Sequence, residues 1–183
     1  MVISTNFRND IQGRDTNLVP VIVIGNVDDA DGSLGLWDNA WFISTNNLAI
    51  EYGVGALDAH TTNTLPILEN IPAIKESIDI EKRNYRISNV SIQLSNYEYN
   101  GVRFSELVGD SSLINIECRI YWVSPNTTLL VALDDGYANN GIVNDPAFEV
   151  YYGVIRRYEH DDDKVKLTVE DRSQSKLHRD LPE

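Results

Sequence analysis

The sequence predicts a mostly β fold, an antiparallel β-barrel or sandwich with long loops and at most one short helix. Three observations carry that expectation. Val90, Ile92 and Leu94 alternate with Ser91, Gln93 and Ser95, the period of a half-buried strand. Phe148, Val150, Tyr152, Val154, Arg156 and Tyr158 alternate up to His160-Asp161-Asp162-Asp163, after which Val165, Leu167 and Val169 alternate back as an antiparallel partner. Turn-forming clusters separate such runs along the chain, whereas apolar residues at helical spacing occur in a single segment.

In chain order, residues 1–17 are polar and read as an arm or an early short strand. Leu18 to Ile24 is a β-branched run closed by Gly25, with Pro20 placing it at a strand start or a sheet edge. Residues 26–36 are rich in Asp, Asn and Gly and form a loop. Trp41, Phe42 and Ile43, then Leu48, Ile50 and Tyr52, flank Thr45-Asn46-Asn47, as in a hairpin with a short connection. Leu68, Ile71, Ile74 and Ile78 recur at spacings of three and four, so residues 67–80 read as a short helix or an irregular connection, with Pro72 interrupting the pattern.

The second half is more regular. Ile87 falls out of phase with Val90, and one extra residue at a bulge accounts for that. From Leu113 to Val123, Ile114, Ile116, Cys118, Ile120 and Trp122 share one face, with Asn115, Glu117, Arg119 and Tyr121 on the other. Pro125-Asn126 interrupts, Thr128 to Leu133 resumes as a strand, and residues 134–147 form an exposed loop. Asn100-Gly101 marks a turn flanked by Tyr97 and Tyr99. The whole reads as a single β-rich domain, 1–183, with a weak sub-boundary near 66–84.

Composition narrows the function. The chain has 183 residues, enough for a core that needs no metal or disulfide staple. Its 15 basic and 28 acidic residues give a formal charge of −13, which repels phosphate backbones and anionic lipid. Direct nucleic-acid binding is not expected. The single cysteine, Cys118, excludes an internal disulfide framework and reads as a small buried hydrophobe. No secretory signal and no membrane-spanning run is expected.

The search for chemistry finds little. His60, His160 and His178 lie at no metal-ligand spacing. The acids at Asp28, Asp29 and Asp31, and at Asp161 to Asp163, lack the alternation and closing carboxylate of a calcium loop. Val21-Ile22-Val23-Ile24-Gly25 runs into glycines that miss the dinucleotide fingerprint, and Gly32-Ser33-Leu34-Gly35 lacks the nucleophile-elbow spacing. No enzyme and no cofactor is expected. Three tryptophans and nine tyrosines leave room for a sugar-binding platform, although Trp122 and Tyr152 sit where core packing is the commoner fate. A hydrolase would need two carboxylates facing each other across a cleft.

Residues 85–183 carry a broader pattern. Tyr85-Arg-Ile-Ser-Asn-Val-Ser-Ile-Gln-Leu-Ser-Asn-Tyr-Glu-Tyr-Asn-Gly-Val-Arg-Phe-Ser is followed by Ile116-Glu-Cys-Arg-Ile-Tyr-Trp-Val. Then come Phe148-Glu-Val-Tyr-Tyr-Gly-Val-Ile-Arg-Arg-Tyr-Glu-His-Asp-Asp and Leu167-Thr-Val-Glu-Asp-Arg-Ser. This resembles the N-terminal part of tail hub (tail tip or baseplate hub) proteins, or distal tail proteins, of tailed bacteriophages and gene transfer particles. The resemblance implies a β-barrel structural subunit that assembles as a ring under a tail tube, in the virion tail and, during assembly, in the host cytoplasm. It implies other tail proteins as partners and a homo-oligomer, a trimer ahead of a hexamer. Hub proteins usually continue beyond Lys176–Glu183, so the chain is expected to be the N-terminal part of a longer hub protein or a smaller tail protein. Tyr97, Tyr99, Phe104, Tyr151 and Arg157 are the candidate interface residues, because aromatics and arginine are enriched at interface cores. The alternative is a carbohydrate-binding β module that recognises a host surface.

Overall fold

In the computed structural model, residues 3, 5–13, 17–25, 40–54, 60–71, 74, 76–79, 84–87, 89–109, 112–127, 129–131 and 147–172 are described. The fold is mostly β and largely antiparallel, as the periodicity predicts, with two short helices rather than one. The loops predicted at 26–36 and 134–146, together with Trp37 and His178, lie outside the described residues. The chain divides into two compact units. One comprises Met1–Pro66 with Arg119–Val150, the other Ile67–Cys118 with Tyr151–Glu183.

In the first unit, α1 (Thr5–Gln12) replaces the predicted arm or strand. Its contacts include Phe7 stacked on Phe148 with ring centroids 5.4 Å apart, Asp10 bonded to Ser124 and Asn126, and the Asn6 side-chain amide donating to the Asn126 carbonyl. Thr5, Asn6, Phe7, Asn9 and Asp10 are weak helix formers, so long-range contacts contribute more than propensity to selecting this short helix. β1 (Val19–Ile24) forms where the β-branched run predicts, and Pro20 falls next to its start. It pairs antiparallel with β2 (Trp41–Ser44), with Val21 opposite Ser44 and Ile24 opposite Trp41. β1 is buried on both faces, which explains why it reads as an unbroken apolar run instead of an alternation.

The predicted hairpin across Thr45–Asn47 does not form. β3 (Ala49–Val54) joins β4 (His60–Asn63) antiparallel and β10 (Leu129–Val131) parallel in a separate three-stranded sheet. The free side of β2 is taken by Leu65, whose N–H donates to the Phe42 carbonyl at 2.8 Å while its carbonyl accepts from Ser44 N–H at 2.9 Å. Thr64 secures the intervening turn: its hydroxyl donates to the Asn46 carbonyl and accepts from Leu48 N–H. Tertiary pairing with Leu65 therefore outcompetes the local hairpin. Val21, Val23, Phe42, Ile50, Tyr121 and Ala147 form the core here.

The second unit is built on the strongest predicted element. β11 (Phe148–His160) and β12 (Lys164–Asp171) form the expected antiparallel hairpin, most of it in this unit. β12 pairs in turn with β8 (Val90–Ser95), and β5 (Leu68–Asn70) lies on the far side of β8. Val165, Leu167 and Val169 stand directly opposite Leu94, Ile92 and Val90. All six are buried, each contributing about 1.5–3 kcal/mol of apolar transfer.

The segment at 67–80 contains strands, not a helix: β5, and β6 (Glu76–Asp79), which pairs with β7 (Asn84–Ile87) in a two-stranded sheet. Leu68 pairs opposite Leu94, so a core edge recruits the segment that local spacing assigned to a helix. Ile87 belongs to β7, which explains its phase without a bulge in β8. The bulge lies instead in β11, between Ile155 and Arg157. Before it, Tyr151, Gly153 and Ile155 face the core rather than Val150, Tyr152 and Val154; beyond it, Arg156 and Arg157 are both exposed.

β9 (Glu117–Val123) begins four residues later than the alternation suggested, because Asn115 adopts φ 70° and breaks the extended run. Ile114 and Trp122, predicted to share the core face with Cys118, are exposed at 41% and 36%, while Glu117 and Tyr121 are buried. Cys118 is buried, as predicted, and burial pushes its thiol up to about 12. α2 (Phe104–Val108) was not anticipated: five residues with Phe104 and Val108 on one buried side, and the Glu106 carboxylate accepting from Arg103 N–H at 3.0 Å.

Candidate functional site

The tip of the β11–β12 hairpin and the segment 96–108 of the second unit are tied together by one residue. Asn96, at the end of β8, is 1% exposed. Its side-chain amide donates to the Asp161 carbonyl at 2.6 Å, and its side-chain oxygen accepts from Ser105 N–H at 3.0 Å. Its own N–H donates to the Asp163 carbonyl at 2.8 Å. One buried side chain thus fixes the strand end, the hairpin turn and the start of α2.

The turn has its own support. The Asp161 carboxylate accepts from Asp163 N–H at 2.9 Å and from Lys164 N–H at 2.6 Å, and these backbone donors hold its pKa below the ordinary carboxylate value. Across from it, Asn100 and Gly101 take φ values of 53° and 84°, and Tyr99 and Val102 exchange backbone hydrogen bonds at 3.0 and 3.2 Å. That is the predicted two-residue turn. Arg103 pairs with Asp162 at 3.3 Å, and Lys164 with Glu69 at 3.7 Å.

This frame presents apolar side chains outward. Tyr97 is 62% exposed, and Val102 and Leu107 of the same segment are exposed at 37% and 43%. The Tyr97 hydroxyl donates to the Asp163 carboxylate, which, with the charges of Glu69 and Asp161, raises its pKa. Of the five interface candidates, Tyr97 is prominent, Tyr99 half-buried and Arg157 exposed beside its partner Glu159. Phe104 and Tyr151 are interior. Phe104 roots α2, and the Tyr151 hydroxyl donates to the Val169 carbonyl at 3.1 Å, so both hold the scaffold rather than meet a neighbour. Leu107 carries no signal of exposure because α2 is too short, at five residues, for a periodic pattern, and Val102 lies in the turn paired with Tyr99. Asn96 carries no signal beyond being a polar residue at the end of an alternating run.

Elsewhere, two carboxylates are held by neighbouring side chains. In the second unit, Glu117 is buried and accepts from the Tyr152 hydroxyl and from Arg172, whose guanidinium lies 5.0 Å from the Tyr152 ring centroid. In the first, Glu149 accepts from Arg119 at 3.4 Å and from the Tyr121 hydroxyl at 3.1 Å, and burial, with the Glu149 charge, raises the Tyr121 pKa. A cleft of about 580 Å³ in that unit is lined by residues including Leu48, Ile50, Val123, Ser124, Asn126 and Thr127, with no ionisable side chain among the described residues of its wall. It offers shape and amides but no acid or base. Among the described residues, no group of three His, Cys, Asp or Glu side chains is placed to hold a metal ion, and no helix is long and apolar enough to cross a membrane. The chain matches no protein-family model, and no curated protein matches it in sequence.

Proposed function

We propose that this chain is a structural component of a bacteriophage tail, of the hub or tail-tip region, that works by ring assembly and by contact with neighbouring tail proteins. The observation that carries the reading is the Asn96 clamp, next to which in sequence Tyr97 stands 62% exposed. A large aromatic exposed to water beside a buried polar clamp suits a protein–protein contact. The resemblance of residues 85–183 to tail hub and distal tail proteins supplies the context, a virion tail assembled in a host cytoplasm.

The deciding experiment is the solution mass by light scattering over a range of concentrations. A discrete trimer or hexamer supports ring assembly; a monomer at every concentration removes self-assembly from the function. The exposure of Trp122 favours a second reading, a carbohydrate-binding module. Quenching of tryptophan fluorescence by host-surface polysaccharide, abolished in Trp122→Ala, would support it.

A further inference from the structure

We propose that the surface made by Tyr97, Val102 and Leu107 docks a basic segment of a different protein, one that inserts an apolar side chain between flanking lysines or arginines. This rests on the assembly reading and specifies the partner at that contact.

Two features of the surface select such a partner. Its centre is apolar: three large exposed side chains lie within eleven residues of sequence, on a segment pinned at the Asn96 clamp and rooted by Phe104 and Val108. Its surroundings are acidic. Glu98 and Glu106 lie on that segment and Asp161, Asp162 and Asp163 at the hairpin turn bonded to Asn96, against Arg103 and Lys164, while Glu69 of β5 is reached through Lys164. Both cations are already paired, with Asp162 and Glu69. An apolar centre with a rim of one sign excludes acidic partners and accelerates encounter with basic ones.

The rim argues against a second copy of this chain at the same surface. The chain carries a formal charge of −13. Two copies of so acidic a chain repel each other on the whole, and setting this acidic rim against itself would oppose like charges.

The test uses two fluorescein-labelled peptides of eight residues, one alternating lysine with leucine or tryptophan, the other with glutamate replacing every lysine. Anisotropy is followed on the intact chain and on the double variant Tyr97→Ser/Leu107→Ser, which leaves the net charge unchanged. The basic peptide is expected to bind at least ten-fold more tightly than the acidic one, and the double variant to lose at least five-fold. Equal binding by the variant would overturn the proposal, because attraction would then be a property of the acidic chain as a whole. So would binding of both peptides alike, or of neither. Glu98→Gln, which removes an exposed rim charge, should weaken basic-peptide binding while leaving the Tyr97–Asp163 contact in place. Failure of this surface is distinct from failure of the assembly reading: a discrete oligomer that binds neither peptide removes only the basic partner, and a monomer that binds the basic peptide removes only the ring.

Discussion

Asn96 and Asp161, 65 residues apart in sequence, are joined by a 2.6 Å hydrogen bond from the Asn96 side-chain amide to the Asp161 carbonyl. The same side chain accepts from Ser105 N–H, so the end of β8, the hairpin turn and α2 share one polar hub. Because Asn96 is 1% exposed, none of its partners is replaced cheaply by water.

Asn96→Ala should therefore leave the Asp161 carbonyl and the Ser105 N–H without their partner and cost about 1–3 kcal/mol. Asn96→Asp retains the acceptor for Ser105 but turns a carboxylate toward the Asp161 carbonyl, and should be no better. Urea unfolding measures both. A stability unchanged by either substitution would show that the clamp is not what holds the tip.

Gly153 and Gly101 separate two reasons for glycine. A Cβ on Gly153 would meet the Glu170 carbonyl oxygen at 2.4 Å and Val169 Cγ1 at 2.8 Å. Gly153→Ala forces the hairpin strands apart and should cost at least the 1–3 kcal/mol of overpacking. A Cβ on Gly101 would meet only the end of Glu98, at 3.9 Å, and the objection is its φ of +84°. Gly101→Ala should cost about 1 kcal/mol through backbone strain. Thermal unfolding ranks the two, and the reverse order would contradict the packing at Gly153.

Acidification should loosen α1. Hydrogen bonds from Ser124, then from Asn126, lower the Asp10 pKa below its ordinary value of 3.8. A lowered folded-state pKa means a contribution fully present above 3.8 and lost as pH falls through the folded value. Hydrogen exchange in Thr5–Gln12 should accelerate there, and Asp10→Asn, which cannot titrate, should flatten that dependence. An identical pH profile in both proteins would remove Asp10 as the anchor.

Cys118 should be silent toward thiol reagents at pH 8 while the chain is folded. Burial pushes its pKa up to about 12, so the thiolate is scarce, and the sulfur is also inaccessible. Labelling should follow unfolding, rising with urea along the same curve as tryptophan fluorescence. Fast labelling in native buffer would show that β9 opens locally.

Where one face of a strand is buried and the other wet, the periodicity was sufficient. The alternation of Val90, Ile92 and Leu94 and of Val165, Leu167 and Val169 predicts strands that indeed pair with matched inward faces. The Asn100-Gly101 turn was legible because its two residues tolerate positive φ. Apolar residues in both phases of β11 concealed which face turns inward, and the choice was made by Val169, opposite Ile155, and by the bulge beyond it. The candidate surface was half visible: Tyr97 flanks a legible turn, whereas Val102 and Leu107 lie in an aperiodic stretch with no signal of exposure.

The sequence by itself determined the class of fold, the principal hairpin, the buried thiol and the acidity, since these follow from local alternation, turn chemistry and composition. Only the tertiary structure decided that residues 68–70 and 76–79 are strands, that β2 and β3 part company, and that α1 exists. It also decided that one asparagine gathers the exposed tip. The physical reason is the same in each case. Backbone groups and apolar side chains of short segments are satisfied by partners far away in sequence, and a weak local preference yields to a long-range bond that buries it.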